Sequence, residues 1–156
     1  MSLSRQEADL AVRLGRPQER SSVVRRLGAM RFGLYAAQHY RALGEPDGWE
    51  FIAYGPVLDH LPQQQWLRKI AGERPIVFEA SDIAAQHAAA LSGVGVAALP
   101  CFLAAHDTGL VRLGVETPAP VRELWLVVHT DLRRAPAIKA VMDFVAALVT
   151  ESSTFR

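Results

Sequence analysis

The chain has 156 residues, half of them hydrophobic and 21% charged, with a formal net charge of +1. Such a chain is long enough to bury a core, and its near-neutrality gives no electrostatic case for a nucleic-acid or membrane surface. The single cysteine, Cys101, excludes an internal disulfide and a cysteine-rich zinc site. The five histidines (His39, His60, His87, His106, His129) show no metal-ligand spacing, so neither a metal nor another cofactor is expected. Arg, Asp, Glu or Gly interrupts every apolar run before it reaches a membrane-spanning length, and MSLSRQEAD lacks the regions of a signal peptide. A cytoplasmic protein with no membrane partner is expected.

Residues 9–15 (DLAVRLG) read as a short strand ending in a turn, and the polar stretch 16–22 as a loop. An extended pattern resumes at 23–27 and continues at 31–35 beyond Gly28. Residues 38–43 suit a short helix ended by Gly44, and 49–54 a strand of mixed facing. A helix over 63–70 follows Pro62, with Trp66, Leu67 and Ile70 on its apolar side.

Residues 76–100 carry the clearest pattern. Ile76, Val77 and Phe78 form a short apolar run that reads as a buried strand. Ser81 is placed to cap the next helix, with Asp82 in its first turn. Ile83, Ala84, Ala88 and Leu91 make the apolar stripe of that helix, and Gly93 is placed to end it in a left-handed conformation. Residues 94–99 (VGVAAL) have no polar face and suit an interior strand buried on both sides, which Pro100 stops. A strand-helix-strand unit implies a parallel sheet whose ligand side lies at the C-terminal strand ends.

Downstream, 102–106 reads as a short helix, 110–113 as a brief strand and 114–120 (GVETPAP) as a turn. Residues 121–129 form a long strand. Pro136 opens an amphipathic helix carrying Ile138, Val141, Met142, Val145, Leu148 and Val149 at helical spacing. There are no internal repeats or low-complexity tracts.

Five segments together resemble the effector-binding domain of LysR-type transcriptional regulators. They are DLAVRLG (9–15), RRLGAMRFGLYAAQHYRALGEP (25–46), SDIAAQHAAALSGVGVAALP (81–100), LVRL (110–113) and ELWLVVHTDLRRAPAIKAVMDFVAAL (123–148). The resemblance implies an α/β, two-lobed, periplasmic-binding-protein-like fold with a small effector in the cleft between lobes. On that template residues 29–122 are a nearly complete second lobe, an inserted α/β subdomain. Residues 4–28 and 123–156 form a partial first lobe whose opening strand and helix are absent. The family's winged helix-turn-helix is also absent, so DNA would be contacted only through a part outside this chain.

Candidate contacts follow from that template. Ser81 begins a helix whose free N–H groups and dipole favour an anion, which makes a small anionic effector the expectation; a plain N-cap explains the same residue. Pro100, Cys101 and Phe102 follow the central strand and would line the second lobe's side, although a free cysteine is commonly just buried. Tyr35, Tyr54 and Thr130 stand at predicted strand ends, and Leu14 and Gly15 match the family's cleft-facing turn in the first lobe. Gly15 is equally explained by a backbone needing positive φ.

The expected function is sensing of a small-molecule effector by a LysR-like regulator acting as a homo-oligomer, a dimer. The alternative is a dimerisation module of the same regulator that binds no ligand in this fragment. An enzyme built on Cys101, His129 and Asp131 lacks a nucleophile elbow, an oxyanion turn or a carboxylate pair, so no catalytic residue is expected.

Overall fold

A computed structural model of the chain describes residues 9–18, 20, 22–152 and 155. The reading of the N-terminal segment falls mostly on residues 1–8, outside those described. Two units divide the chain: one runs up to Met30 and resumes at Val121, and the other is Arg31–Pro120. They are called unit 1 and unit 2.

Unit 2 is built on parallel strands β3 (Phe51–Ala53), β4 (Ile76–Glu79) and β5 (Val96–Pro100), in the spatial order β5-β3-β4. Strand β2 (Ser22–Ala37) pairs antiparallel with β5, Phe32 opposite Pro100, and with β6 (Leu110–Leu113) on its other side. The chain passes from β3 through α1 (Pro62–Ala71) to β4, then through α2 (Ile83–Leu91) back past β3 to β5. The two crossovers run in opposite directions across the sheet, so right-handed connections put their helices on opposite faces. Accordingly α2 and the short helix α3 (Cys101–Ala104) share a core with Tyr35, Ile52, Ala97, Leu99 and Leu110. Helix α1 packs against β3 and β5 from outside that cluster.

Strand β5 is buried at all five residues, as its lack of a polar face predicts, but it begins at Val96 and includes Pro100, while Val94 before it is 38% exposed. Its approach to the preceding loop is close: a Cβ at Gly95 would stand 2.6 Å from the Glu50 carbonyl oxygen, which also accepts the Val96 N–H at 2.8 Å. Gly93 ends the α2 turn with φ +83, the left-handed conformation its position predicts.

Several local expectations are corrected. Strand β4 is an edge strand and not a buried one: Val77 is 42% and Phe78 40% exposed. Strand β3 is shorter than its apolar run and wholly buried, because parallel neighbours cover both sides. Residues 38–43 form successive turns in place of a helix. Tyr40, Leu43 and Glu45 each donate to the carbonyl three residues back, while the backbone and side chain of Gln38 donate to Gly109 and Thr108. The N-cap of α2 is Asp82, whose Oδ1 accepts the Ala84 N–H at 2.9 Å, and Ser81 lies one residue outside. The buried face of α2 is Gln86, Ala89 and Ala90, whereas Ala84 and Ala88 are exposed.

In unit 1, β1 (Leu10–Leu14) pairs antiparallel with β7 (Val121–His129), Leu14 opposite Leu124 and Leu10 opposite Val128. Helix α4 (Pro136–Glu151) begins on its proline as predicted but buries only Ala146. No helix among the described residues is long and apolar enough to cross a membrane.

Candidate functional site

The parallel strands of unit 2 end on one edge, at Tyr54 and Gly55, at Ala80 and Ser81, and at Pro100 and Cys101. Two buried glutamines hold the first two exits. Gln64, in the first turn of α1, accepts the Tyr54 N–H at 3.1 Å and donates to the Tyr54 carbonyl at 2.8 Å. Its amide nitrogen also reaches Asp59 at 3.1 Å, and Asp59 accepts from Arg68 at 2.8 Å. The Gln64 and Arg68 hydrogen bonds keep the Asp59 carboxyl below its ordinary pKa. Gln86, from the first turn of α2, donates to the Ala80 carbonyl at 2.8 Å, while the Ala80 N–H donates to Ala53 at 3.0 Å. Both glutamines are 1% exposed, and a side-chain amide so deeply buried is stabilising only when paired.

Between these exits lies a hollow of about 440 Å³, lined by Gly55, Val57, Leu58, Glu79, Ala80 and Ser81. Val57 stands 89% exposed beside it. Glu79 has no hydrogen bond or ion pair through its carboxylate among the described residues, and its Oε2 stands 3.9 Å from where a Gly55 Cβ would be.

Of the residues singled out from the sequence, Tyr54, Ser81, Pro100, Cys101 and Phe102 gather on this edge. Tyr54 is there through its backbone, its residue being 8% exposed, and Ser81 through its exposed position in the hollow. Tyr35 lies opposite Ala97, inside the core cluster against which Cys101 packs. Burial first, and Cys101 second, push the Tyr35 phenol up to about 12, with Arg112 opposing them.

Leu14 and Gly15 form a separate turn of unit 1. Gly15 has φ +82 and donates to Glu123 at 2.8 Å, and Arg122 reaches the Leu14 carbonyl at 3.3 Å. Thr130 follows His129 at the other end of the same ladder, so β1–β7 does not bring it to that turn. His129 turns its Nδ1 to the Asp131 N–H at 3.3 Å and so caps the turn that follows.

A larger hollow of about 510 Å³ lies on unit 1, lined by Arg133, Arg134, Lys139, Met142 and Asp143. All but Met142 are exposed, so it is a surface groove with no framework of buried hydrogen bonds.

Gln64, Gln86 and Glu79 were not among the residues singled out from sequence. The glutamines had a legible signal: each sits three residues before an apolar residue of the buried face, Leu67 or Ala89, where a polar side chain must find a buried partner. Glu79 had none, because its role depends on which strand ends adjoin it.

The chain matches the family described as LysR substrate binding domain over residues 2–149. It is 29% identical over 152 residues to the Mau operon transcriptional activator of Paracoccus denitrificans, covering 97% of this chain and 52% of that protein. The chain thus spans about half the length of that relative. Among solved structures, the CrgA regulatory domain of Neisseria meningitidis, a LysR-type transcriptional regulator, superposes with a TM-score of 0.74 at 22% identity. That match covers 94% of this chain and 78% of the other. The Synechocystis PCC6803 CcmR regulatory domain, solved in complex with 2-PG, superposes with a TM-score of 0.72 at 12% identity, over 95% of this chain and 76% of that one. At these identities the superpositions show the fold, an α/β fold of the periplasmic-binding-protein-like kind found in LysR regulatory domains. The family is one of transcription regulators that bind small-molecule effectors, act as oligomers and bind DNA. Matched over nearly all its residues, this chain belongs to the LysR substrate-binding domain family.

Proposed function

We propose that the chain is the effector-sensing domain of a cytoplasmic LysR-type transcription regulator and that the effector seats on the C-terminal edge of unit 2. The observation that carries the reading is the pinning of two adjacent strand exits by Gln64 and Gln86 around an open hollow. Positions at the C-terminal ends of parallel strands are where open α/β sheets receive ligands, and a preformed wall lowers the ordering cost of binding. Ser81, Pro100, Cys101 and Phe102 supply further contacts on this edge. No chemistry is done. The effector favours one conformation of the domain by its differential affinity, and a DNA-binding part of the longer protein reads the shift.

An anionic effector gains little from the α2 terminus, because the Asp82 carboxylate already accepts the Ala84 N–H there. The hollow is therefore the stronger guide to effector chemistry.

The test is thermal unfolding of the purified chain against a small-molecule panel, repeated on Ser81→Trp, which fills the hollow. A true effector at 100 times its Kd adds about 2.7 kcal/mol of stability. A panel that leaves the wild type unmoved, or that shifts both proteins alike, rejects this site.

Assembly is a second reading, favoured by α4, on which Val141, Phe144 and Leu148 are 46%, 63% and 53% exposed. A homodimer using this face would bury them. Sedimentation at tens of micromolar showing a single-chain mass would reject it.

A further inference from the structure

We infer that the hollow selects an organic cation, a primary ammonium or an amidinium on a short apolar body, with Glu79 as its counter-charge. This deepens the proposed function and rests on that reading of the edge. Glu79 is the only charged residue lining the hollow, and its carboxylate is unpaired among the described residues. Two carboxylates of unit 2 do find an arginine, Glu50 with Arg41 at 2.7 Å and Asp59 with Arg68 at 2.8 Å. Glu45, Asp47, Glu73 and Glu116 share with Glu79 the lack of an ion pair among the described residues; what sets Glu79 apart is its place in the hollow. No Arg, Lys or His lines the hollow, so an incoming anion finds no positive side chain there.

The helix terminus nearby does not reverse that field. Asp82 follows Ser81 and places a second carboxylate at the same edge, already engaged with the Ala84 N–H. The remaining walls suit the body of such a ligand: Val57 and Leu58 offer apolar surface, and Gly55 leaves bare backbone near the Glu79 carboxylate. The frame is held from beneath by Gln64 and Gln86 on Tyr54 and Ala80, so the carboxylate and the apolar wall keep their spacing without a ligand. A carboxylate beside apolar walls in an open hollow binds ammonium groups by charge-assisted hydrogen bonds, which exceed neutral ones in strength.

The probes are charge-swapped pairs of like shape, benzamidine against benzoate and butylamine against butyrate, with benzyl alcohol as the neutral member. Thermal shift and calorimetry are run on the whole chain, on Glu79→Gln, on Glu79→Arg and on Ser81→Trp. Glu79 is on an exposed edge, so its variants keep the fold, and circular dichroism checks this. The cations are expected to stabilise the wild type, to weaken roughly tenfold on Glu79→Gln, and to lose affinity as salt rises. On Glu79→Arg the preference is expected to pass to the carboxylates. Equal cation binding by wild type and Glu79→Gln overturns the inference. Binding of carboxylates or the alcohol by the wild type, abolished in Ser81→Trp, also overturns it and leaves the edge as an effector site. If no probe stabilises the wild type, the inference fails, and a wider panel that is equally silent takes the site reading with it.

Discussion

Helix α1, with the sequence PQQQWLRKIA, buries five of its ten residues, whereas the 16-residue α4, with the more apolar PAIKAVMDFVAALVTE, buries one. The difference lies in what each helix meets. Helix α1 lies on β3 and β5, whose two faces are both covered, and its glutamine at position 64 is drawn into burial because Tyr54 offers a backbone N–H and a carbonyl to pair with. Helix α4 leaves Phe144 63% exposed. Burial here follows the partner surface available more closely than the apolar content of the helix.

The sharpest way to break that comparison is a pair of phenylalanine truncations. Phe51, fully buried in β3, is expected to cost about 3–5 kcal/mol on Phe51→Ala by urea unfolding. Phe144→Ala is expected to stay within about 0.5 kcal/mol in the single chain. A large Phe144 effect would mean that α4 is covered in solution, and concentration dependence of that effect would identify a second copy as the cover.

Glutamines within α1 sharpen it further. Gln64→Leu strands the Tyr54 N–H and carbonyl and is expected to cost about 1–3 kcal/mol. Gln63 is 3% exposed, and its Oε1 has no hydrogen-bond partner among the described residues, so Gln63→Met is expected to be neutral or to gain about 1 kcal/mol. If both lose stability alike, polar pairing is not what permits their burial. Gly95→Ala asks the same of backbone spacing and is expected to cost about 1–3 kcal/mol, since its Cβ meets a carbonyl that already accepts a ladder hydrogen bond. Gly44→Ala, with no atom within 4 Å of the new Cβ, is expected to change little.

Two titrations complete the series. The Tyr35 phenol is raised to about 12 in the folded chain, against about 10 when unfolded. A raised acid favours the protonated folded state, so its contribution is intact below pH about 10 and is lost as pH climbs towards about 12. Tyr35→Phe should flatten that part of the stability profile relative to wild type, and an unchanged slope would count against the burial argument. Asp59 is shifted the other way, so its contribution is present above the ordinary carboxylate range and is lost as pH falls through its lowered pKa. With its side chain about half exposed, it should give the smallest effect: Asp59→Asn slightly destabilises at neutral pH, and the difference closes in acid.

Much of unit 2 was determined by the residues alone. A run with no polar face suits an interior strand, and β5 is buried at every position, although Val94 at the start of the run lies outside it. A glycine after nine helical residues supplies the left-handed turn, and a proline opening an apolar repeat starts a helix, as Gly93 and Pro136 do. These depend on local sterics and on periodicity, which travel with the sequence. The C-terminal strand edge proposed for the effector was legible from the strand-helix-strand order, and Ser81, Pro100 and Cys101 stand at strand ends on that edge.

What only the tertiary structure decided concerns neighbours. Ile76, Val77 and Phe78 look as apolar as an interior strand, yet β4 has β3 on one side only, and composition does not encode a strand's place in the sheet order. Ser81 and Asp82 are both competent caps, and the choice of Asp82 depends on where the backbone turns after Ala80 is held by Ala53 and Gln86. The Glu79 carboxylate acquires its position beside Gly55 and Ser81 from strands far apart in the chain. Hydrogen-bond partners and unpaired charges are properties of juxtaposition, and juxtaposition exists only once the sheet order is set.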